Sequence, residues 1–197
     1  MALNIFTITC PGACEAAGTL GVLPETICQL PPKLSEIDLL LFQGTDAGPA
    51  DASSASDWTG LVDNTDNTGA NFKYLIGSGQ ITRPEATTQT VARGQVLTTK
   101  QTFTLEFEVY EFSEASVYDF IRTLQCGALK PKFMYADRGG FLYFKKKASA
   151  PDEGIAPTSV QAYFDRPRGD GSIAKAVIEI KYEALVDPDR AVNPLTL

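Results

Sequence analysis

The chain has 197 residues, 44% hydrophobic and 21% charged, and a chain of this length buries roughly 70% of its unfolded surface without a disulfide or metal staple. Its 24 acidic and 17 basic side chains leave a net charge of −7, which repels phosphate at long range and argues against sequence-independent nucleic-acid binding. No apolar run approaches the about 18 residues of a transmembrane helix, and Met1 to Thr9 lacks the basic head and apolar run of a secretory signal. The expectation is a protein made in the cytoplasm and kept there or built into a particle.

Leu3 to Thr9 alternates apolar and polar residues and predicts a first strand. Residues 10–32 hold Cys10, Cys14 and Cys28 among Ala, Gly and Pro and read as an arm or long loop. Ile37 to Phe42 is a continuous apolar run, short enough for a buried strand. Residues 43–71 are a polar excursion too long for an ordinary connection. Ser56 or Asp57 predicts the N-cap of a short helix there, with Trp58, the only tryptophan, docking the excursion onto the body or a neighbour.

Phe72 to Arg83 is strand material, read as a bent pair broken at Gly77-Ser78-Gly79, with a turn or strand end at Arg83-Pro84-Glu85. From Val96 to Tyr110 the alternation is strict. Phe103, Leu105, Phe107 and Val109 take one face, and Thr102, Thr104, Glu106 and Glu108 the other. Ser113 is the expected N-cap of a helix whose Val117, Phe120, Ile121 and Leu124 form one apolar stripe. Gly127 stops it, and Cys126 is expected to be buried.

Lys132 to Ala136 and Phe141 to Lys146 flank Asp137-Arg138-Gly139-Gly140 and predict a hairpin. Residues 148–158 read as a loop. Ser159 to Asp165 and Ile173 to Leu185 predict a closing strand pair, and residues 187–197 an extended tail. The sum is a single mainly β domain over 1–197: an antiparallel sandwich or barrel with one packed α-helix, an N-terminal arm, an excursion and a tail.

Chemistry is sparse. The chain has no histidine, which excludes Ser-His-Asp and Cys-His nucleophiles and removes the commonest transition-metal ligand. The cysteines lack the paired spacing of a zinc site. No Walker phosphate loop or dinucleotide fingerprint is present. The candidate carboxylates are Glu106 and Glu108 on the long strand and Glu179 and Glu183 on the last; residues two apart on one strand, as Glu106 and Glu108 are, lie roughly 7 Å apart, a spacing that two-carboxylate glycoside chemistry tolerates. Alternating charge is equally what any half-buried strand shows water. Arg168-Gly169-Asp170 is turn chemistry between strands, and Asp63 and Asp66 lack a calcium loop's spacing. Lys145, Lys146 and Lys147 read first as a solvated strand end. The expectation is no cofactor, no metal and no active site. The arm, excursion and tail, unable to bury much on their own domain, point to assembly with other subunits.

The order of long strand, three-turn helix, aromatic hairpin and closing strand pair across Phe72 to Leu185 resembles tail tube proteins of long-tailed bacteriophages. The resemblance implies a β-sandwich or barrel subunit with one flanking helix, stacked as hexameric rings around a channel through which DNA passes without specific binding. It implies a virion protein whose arms and loops bridge neighbours, and an acidic lumen to which Asp46, Asp51, Glu106 and Glu108 are candidates. The Cys-rich stretch 10–32 is not part of that pattern. A capsid decoration protein or head–tail connector shares the same β-rich look. The expected contact residues are Trp58, Phe72, Tyr74, Lys145, Lys146 and Lys147. Two readings compete: a carbohydrate- or receptor-binding β-sandwich using Trp58, Tyr143 or Tyr163, and a carboxylate-based hydrolase.

Overall fold

The computed structural model describes residues 36–62, 71–90, 96–127, 129–147, 149, 151–166 and 174–195. The predicted first strand, the arm at 10–32, the end of the excursion with Asp63 and Asp66, and the Arg168-Gly169-Asp170 turn lie outside them. Ten elements follow in order. They are β1 (Ile37–Gln43), a 3-10 turn (Ala55–Trp58), β2 (Phe72–Thr90), β3 (Val96–Val109), α1 (Ala115–Gln125), β4 (Lys132–Asp137), β5 (Phe141–Phe144), β6 (Ser159–Asp165), β7 (Lys175–Ala184) and β8 (Asp189–Val192). The strands form one eight-stranded sheet in the order β6-β7-β3-β2-β1-β4-β5-β8, every neighbouring pair antiparallel. The fold is mainly antiparallel β with one helix, as the alternation predicts.

β1 explains the sheet's design. Side chains alternate along a strand, and both sides of β1 are covered. Leu40 and Phe42 enter one core with Leu75, Phe133 and Phe103, Leu105, Phe107 and Val109 of β3. Leu39 and Leu41 enter a second with Trp58, Phe72, Met134 and Phe144. A continuous apolar run is what burial on two faces demands. Each such side chain contributes about 1.5–3 kcal/mol. A register shift between Ile37 and Leu39 returns Ile37 to the first core.

On the inner face, α1 lays Ile121 and Leu124 into the first core, with Val117 and Phe120 half-buried beside them. Phe120 meets Phe42 edge-on at 5.3 Å. The sheet curls over this core: Tyr182 of β7 meets Phe133 of β4 edge-on at 5.6 Å, although three strands separate β7 from β4 in the sheet. On the outer face, the excursion covers the β1, β4 and β5 side; on β3, β7 and β6 the polar side chains of that face are half-buried to exposed and Val177 is buried.

Several local expectations need correction. β2 is one continuous strand through Gly77-Ser78-Gly79. These glycines do not break it; they leave room for the Phe107 ring of β3. Arg83-Pro84-Glu85 is not a turn but an irregularity inside β2, where the register with β3 shifts between Thr82 and Glu85. The helix starts after Glu114, not Ser113, and its first bond is Tyr118 N–H to Glu114 O at 3.0 Å. The 3-10 turn has Ser54 at its N-cap position, so Ser56 and Asp57 lie within it. Cys126 is exposed rather than buried, because it follows the last turn of α1 with Gly127 in the left-handed region at φ 65°. Part of the tail is strand: Asp189 to Val192 pair with β5, and the Arg190 guanidinium lies 4.8 Å over the Phe141 ring.

Candidate functional site

Trp58 and Phe72 pack against each other at 5.1 Å. Both are buried in the second core, at 3% and 0% exposure, and so offer no surface to a partner. Trp58 Nε1 donates to Ala52 O at 3.0 Å, which ties the excursion to its own domain. Tyr74 is half-buried against the same core.

The lysine run divides by alternation. Lys145 and Lys147 turn back to Glu153, at 3.5 and 2.7 Å, and Lys132 completes the group on the same carboxylate. Glu153 is itself buried. Hydrogen bonds from Lys132 and Lys147 pull its carboxyl down to about 2. The Lys146 side chain is exposed, and its backbone N–H donates to Asp189 Oδ2 at 3.0 Å. Beside this group Asp152 accepts from Ala52 N–H at 2.9 Å. Gln43 Oε1 accepts from Gly154 N–H at 2.7 Å, and Gln43 Nε2 donates to Asp46 O at 3.0 Å. The excursion through Val62 and the loop at 151–158 are therefore fastened to their own sheet. The expectation that the excursion buries little on its own domain is corrected.

Two surfaces stand apart from this packing. One is the far end of the β2–β3 pair. β1 accompanies β2 only as far as Gly79, and β7 accompanies β3 only from Gln101. Beyond those points the two strands pair, among the described residues, with each other alone, from Ala86↔Gln101 to Thr90↔Val96. Ala86 to Thr90 and Thr98 to Lys100 are exposed whichever way they face. Lys100 meets Glu183 at 2.7 Å at its root.

The other is the outer half-face of β3, β7 and β6. Cross-strand registers set Gln80, Glu106, Glu179 and Gln161 in one row, Ser78, Glu108, Val177 and Tyr163 in the next, and Thr82, Thr104, Lys181 and Ser159 in a third. Glu108 is bridged to Lys175 and accepts from the Tyr110 hydroxyl, and these two contacts hold its carboxyl below the usual range. Glu179 pairs with Lys181 at 3.1 Å and Glu183 with Lys100. Glu106 stands directly opposite Glu179.

Among the described residues no group of three or more His, Cys, Asp or Glu side chains is placed to hold a metal. No described helix is long and apolar enough to cross a membrane. No family model, curated protein or solved structure matches this chain. The expected lumen acids fall in two places. Glu106 and Glu108 share the outer half-face of β3 and β7, whereas Asp46 and Asp51 belong to the excursion. There Asp51 is held below the usual carboxylate range by the Ser53 hydroxyl and backbone N–H. The three aromatics of a glycan platform also separate. Trp58 is buried, Tyr143 is half-buried against Tyr135, and Tyr163 is exposed on β6. Glu153, Asp152 and Gln43 escaped the sequence reading, and only the lysine triplet followed by an acid pair hinted at them.

Proposed function

We propose that the chain is a non-enzymatic virion structural subunit of the tail-tube kind, which assembles with copies of itself into stacked rings around a channel that conducts DNA. The observation that carries this reading is the β2–β3 ribbon. An isolated two-stranded ribbon is marginally stable at best in water, and one with both edges free is a template for another chain. Thr is the commonest residue at its described exposed positions, Ala86 to Thr90 and Thr98 to Lys100, and the ribbon runs on beyond where β1 and β7 stop pairing. A neighbouring subunit is the simplest source of the contacts it lacks. The net charge of −7 supports the channel, since an acidic wall repels phosphate and lets a duplex slide; on the half-face of β3 and β7 itself Lys175, Lys181 and Lys100 offset Glu108, Glu179 and Glu183.

The test is light scattering with negative-stain imaging of the purified chain and of a variant in which residues 87–100 are replaced by Asn-Gly. Asn-Gly closes the hairpin between the paired residues Ala86 and Gln101. The expected result is rings or tubes from the parent, and a folded variant with unchanged tryptophan emission that no longer forms them. A parent that stays monomeric at high concentration, or a variant that assembles equally well, refutes the reading.

A further inference from the structure

The second half of β2 has one backbone edge without a neighbour among the described residues. A cleft of about 1120 Å3 lies where β1 stops beside it, lined along β2 by Gln80, Ile81, Thr82 and Pro84. Pro84 has no backbone N–H, which an edge strand tolerates and a central one does not. From Ala86 to Thr90 the same edge runs on into the ribbon, where β2 pairs with β3 alone.

The sheet itself ends in two more edges, β6 and β8. Proteins keep an edge from pairing with other chains by making it short or by charging it. β8 has both defences, with four residues that include Asp189 and Arg190. β6 has neither. It is seven residues long, and Ser159 to Phe164 carry no charge. Val160 is buried in the first core and fixes the strand to its own sheet. Gln161 is exposed, and Tyr163 is 51% exposed. Ala86 to Thr90 is uncharged in the same way, whereas the β3 side of the ribbon carries Lys100.

Charge selects between these edges. A chain of net charge −7 repels its own copies, so two copies meet at least cost where neither surface is charged. The β2 edge of the ribbon and the edge of β6 are two such surfaces. Each also offers a row of backbone N–H and C=O groups that a second strand satisfies.

We propose that the β2 edge of the ribbon in one copy pairs with β6 of a second copy, adding a strand through main-chain hydrogen bonds. The contact joins two different surfaces of the same chain. A head-to-tail contact of that kind closes into a ring or runs on as a filament, and does not stop at a dimer. The inference rests on the ring-forming reading above and names the element that receives the ribbon.

Photo-cross-linking within assembled particles decides it. Benzoylphenylalanine is placed at Thr88 and, separately, at Gln89, on opposite faces of the ribbon. Each variant is mixed with nitrogen-15-labelled parent chain before assembly. The expected product, found by peptide mass mapping, joins the ribbon to a labelled peptide containing residues 159–165. A second variant, Gln161→Lys with Tyr163→Lys, charges β6 at two exposed positions. It should fold, with unchanged tryptophan emission, and form no rings, while Val192→Lys on β8 should assemble as the parent does. Rings whose cross-links fall elsewhere, or rings formed equally by the doubly charged variant, overturn this inference and leave the ring-forming reading standing. A parent chain that stays monomeric overturns both.

Discussion

Gly79 and Gly77 offer a direct test of how β2 and β3 fit together. Neither has the positive φ that would itself forbid alanine, so in open space Gly→Ala within a strand would stabilise by about 0.5–1 kcal/mol. Space is what is missing. A Cβ at Gly79 would stand 2.6 Å from Phe107 Cδ2 and 2.9 Å from the Glu106 carbonyl oxygen. Phe107 is fully buried, so its ring has no solvent side to move to. Overpacking of this kind costs about 1–3 kcal/mol. Set against the entropic gain, Gly79→Ala should lose about 1–2 kcal/mol. At Gly77 the nearest atom is the Glu108 carbonyl oxygen, closer still. Relief there requires β2 and β3 to part, so Gly77→Ala should cost more, about 3 kcal/mol. Urea unfolding followed by the emission of buried Trp58 measures both. Phe107→Leu separates the causes. Combined with Gly79→Ala it should recover part of the loss as a coupling of about 1 kcal/mol, and combined with Gly77→Ala almost none. Stabilisation by Gly79→Ala, or equal rescue at both positions, would refute the account.

Glu153→Gln should lower stability at neutral pH by about 1 kcal/mol, since three half-exposed lysines lose the carboxylate they share. Its folded pKa lies below its ordinary 4.5, at about 2. The parent's advantage is therefore full above pH 4.5 and should fade as pH falls toward 2, as urea unfolding across that range will show. Trp58→Phe keeps the contact with Phe72 but removes the donor to Ala52 O, and should cost about 1–3 kcal/mol with faster proteolysis of the excursion; chemical denaturation with mapped proteolysis checks both. Cys126 is exposed and should react with a thiol reagent in the native protein, located by peptide mass mapping, while Cys126→Ser should shift stability by less than about 0.5 kcal/mol.

What could be read from sequence was what depends on local period. The two-residue alternation of β3 and the stripe of α1 each repeat within a few residues, and each element formed nearly where expected. The apolar run of β1 announced burial, although not that two separate cores would share it. β2 was cut too short because glycine and proline carry opposite meanings in a turn and beside a neighbouring ring. Only the register opposite Phe107 tells them apart. β8 escaped because Asp-Arg-Ala-Val has no strand pattern of its own and is held by Phe141 and Lys146 across the sheet. The same limit governed the surfaces. The lysine triplet was visible as charge, but Glu153 and the buried Asp152 and Gln43 become its partners only after folding. The cleft lined by Glu36, Gly79 and Tyr135 joins residues from seven strands and had no local signal.

The two-sided burial of β1 has a consequence during synthesis. β1 pairs with β2 on one side and with β4 on the other, joining Leu40 to Tyr135. While the chain emerges from the ribosome in order, Leu39 to Phe42 have their first partner well before their second. Until β4 arrives, one backbone edge of this strand and much of both apolar faces lie open, and a nascent chain in that condition is prone to stick. The segment most protected in the finished molecule is thus the one most in need of a chaperone while it is made.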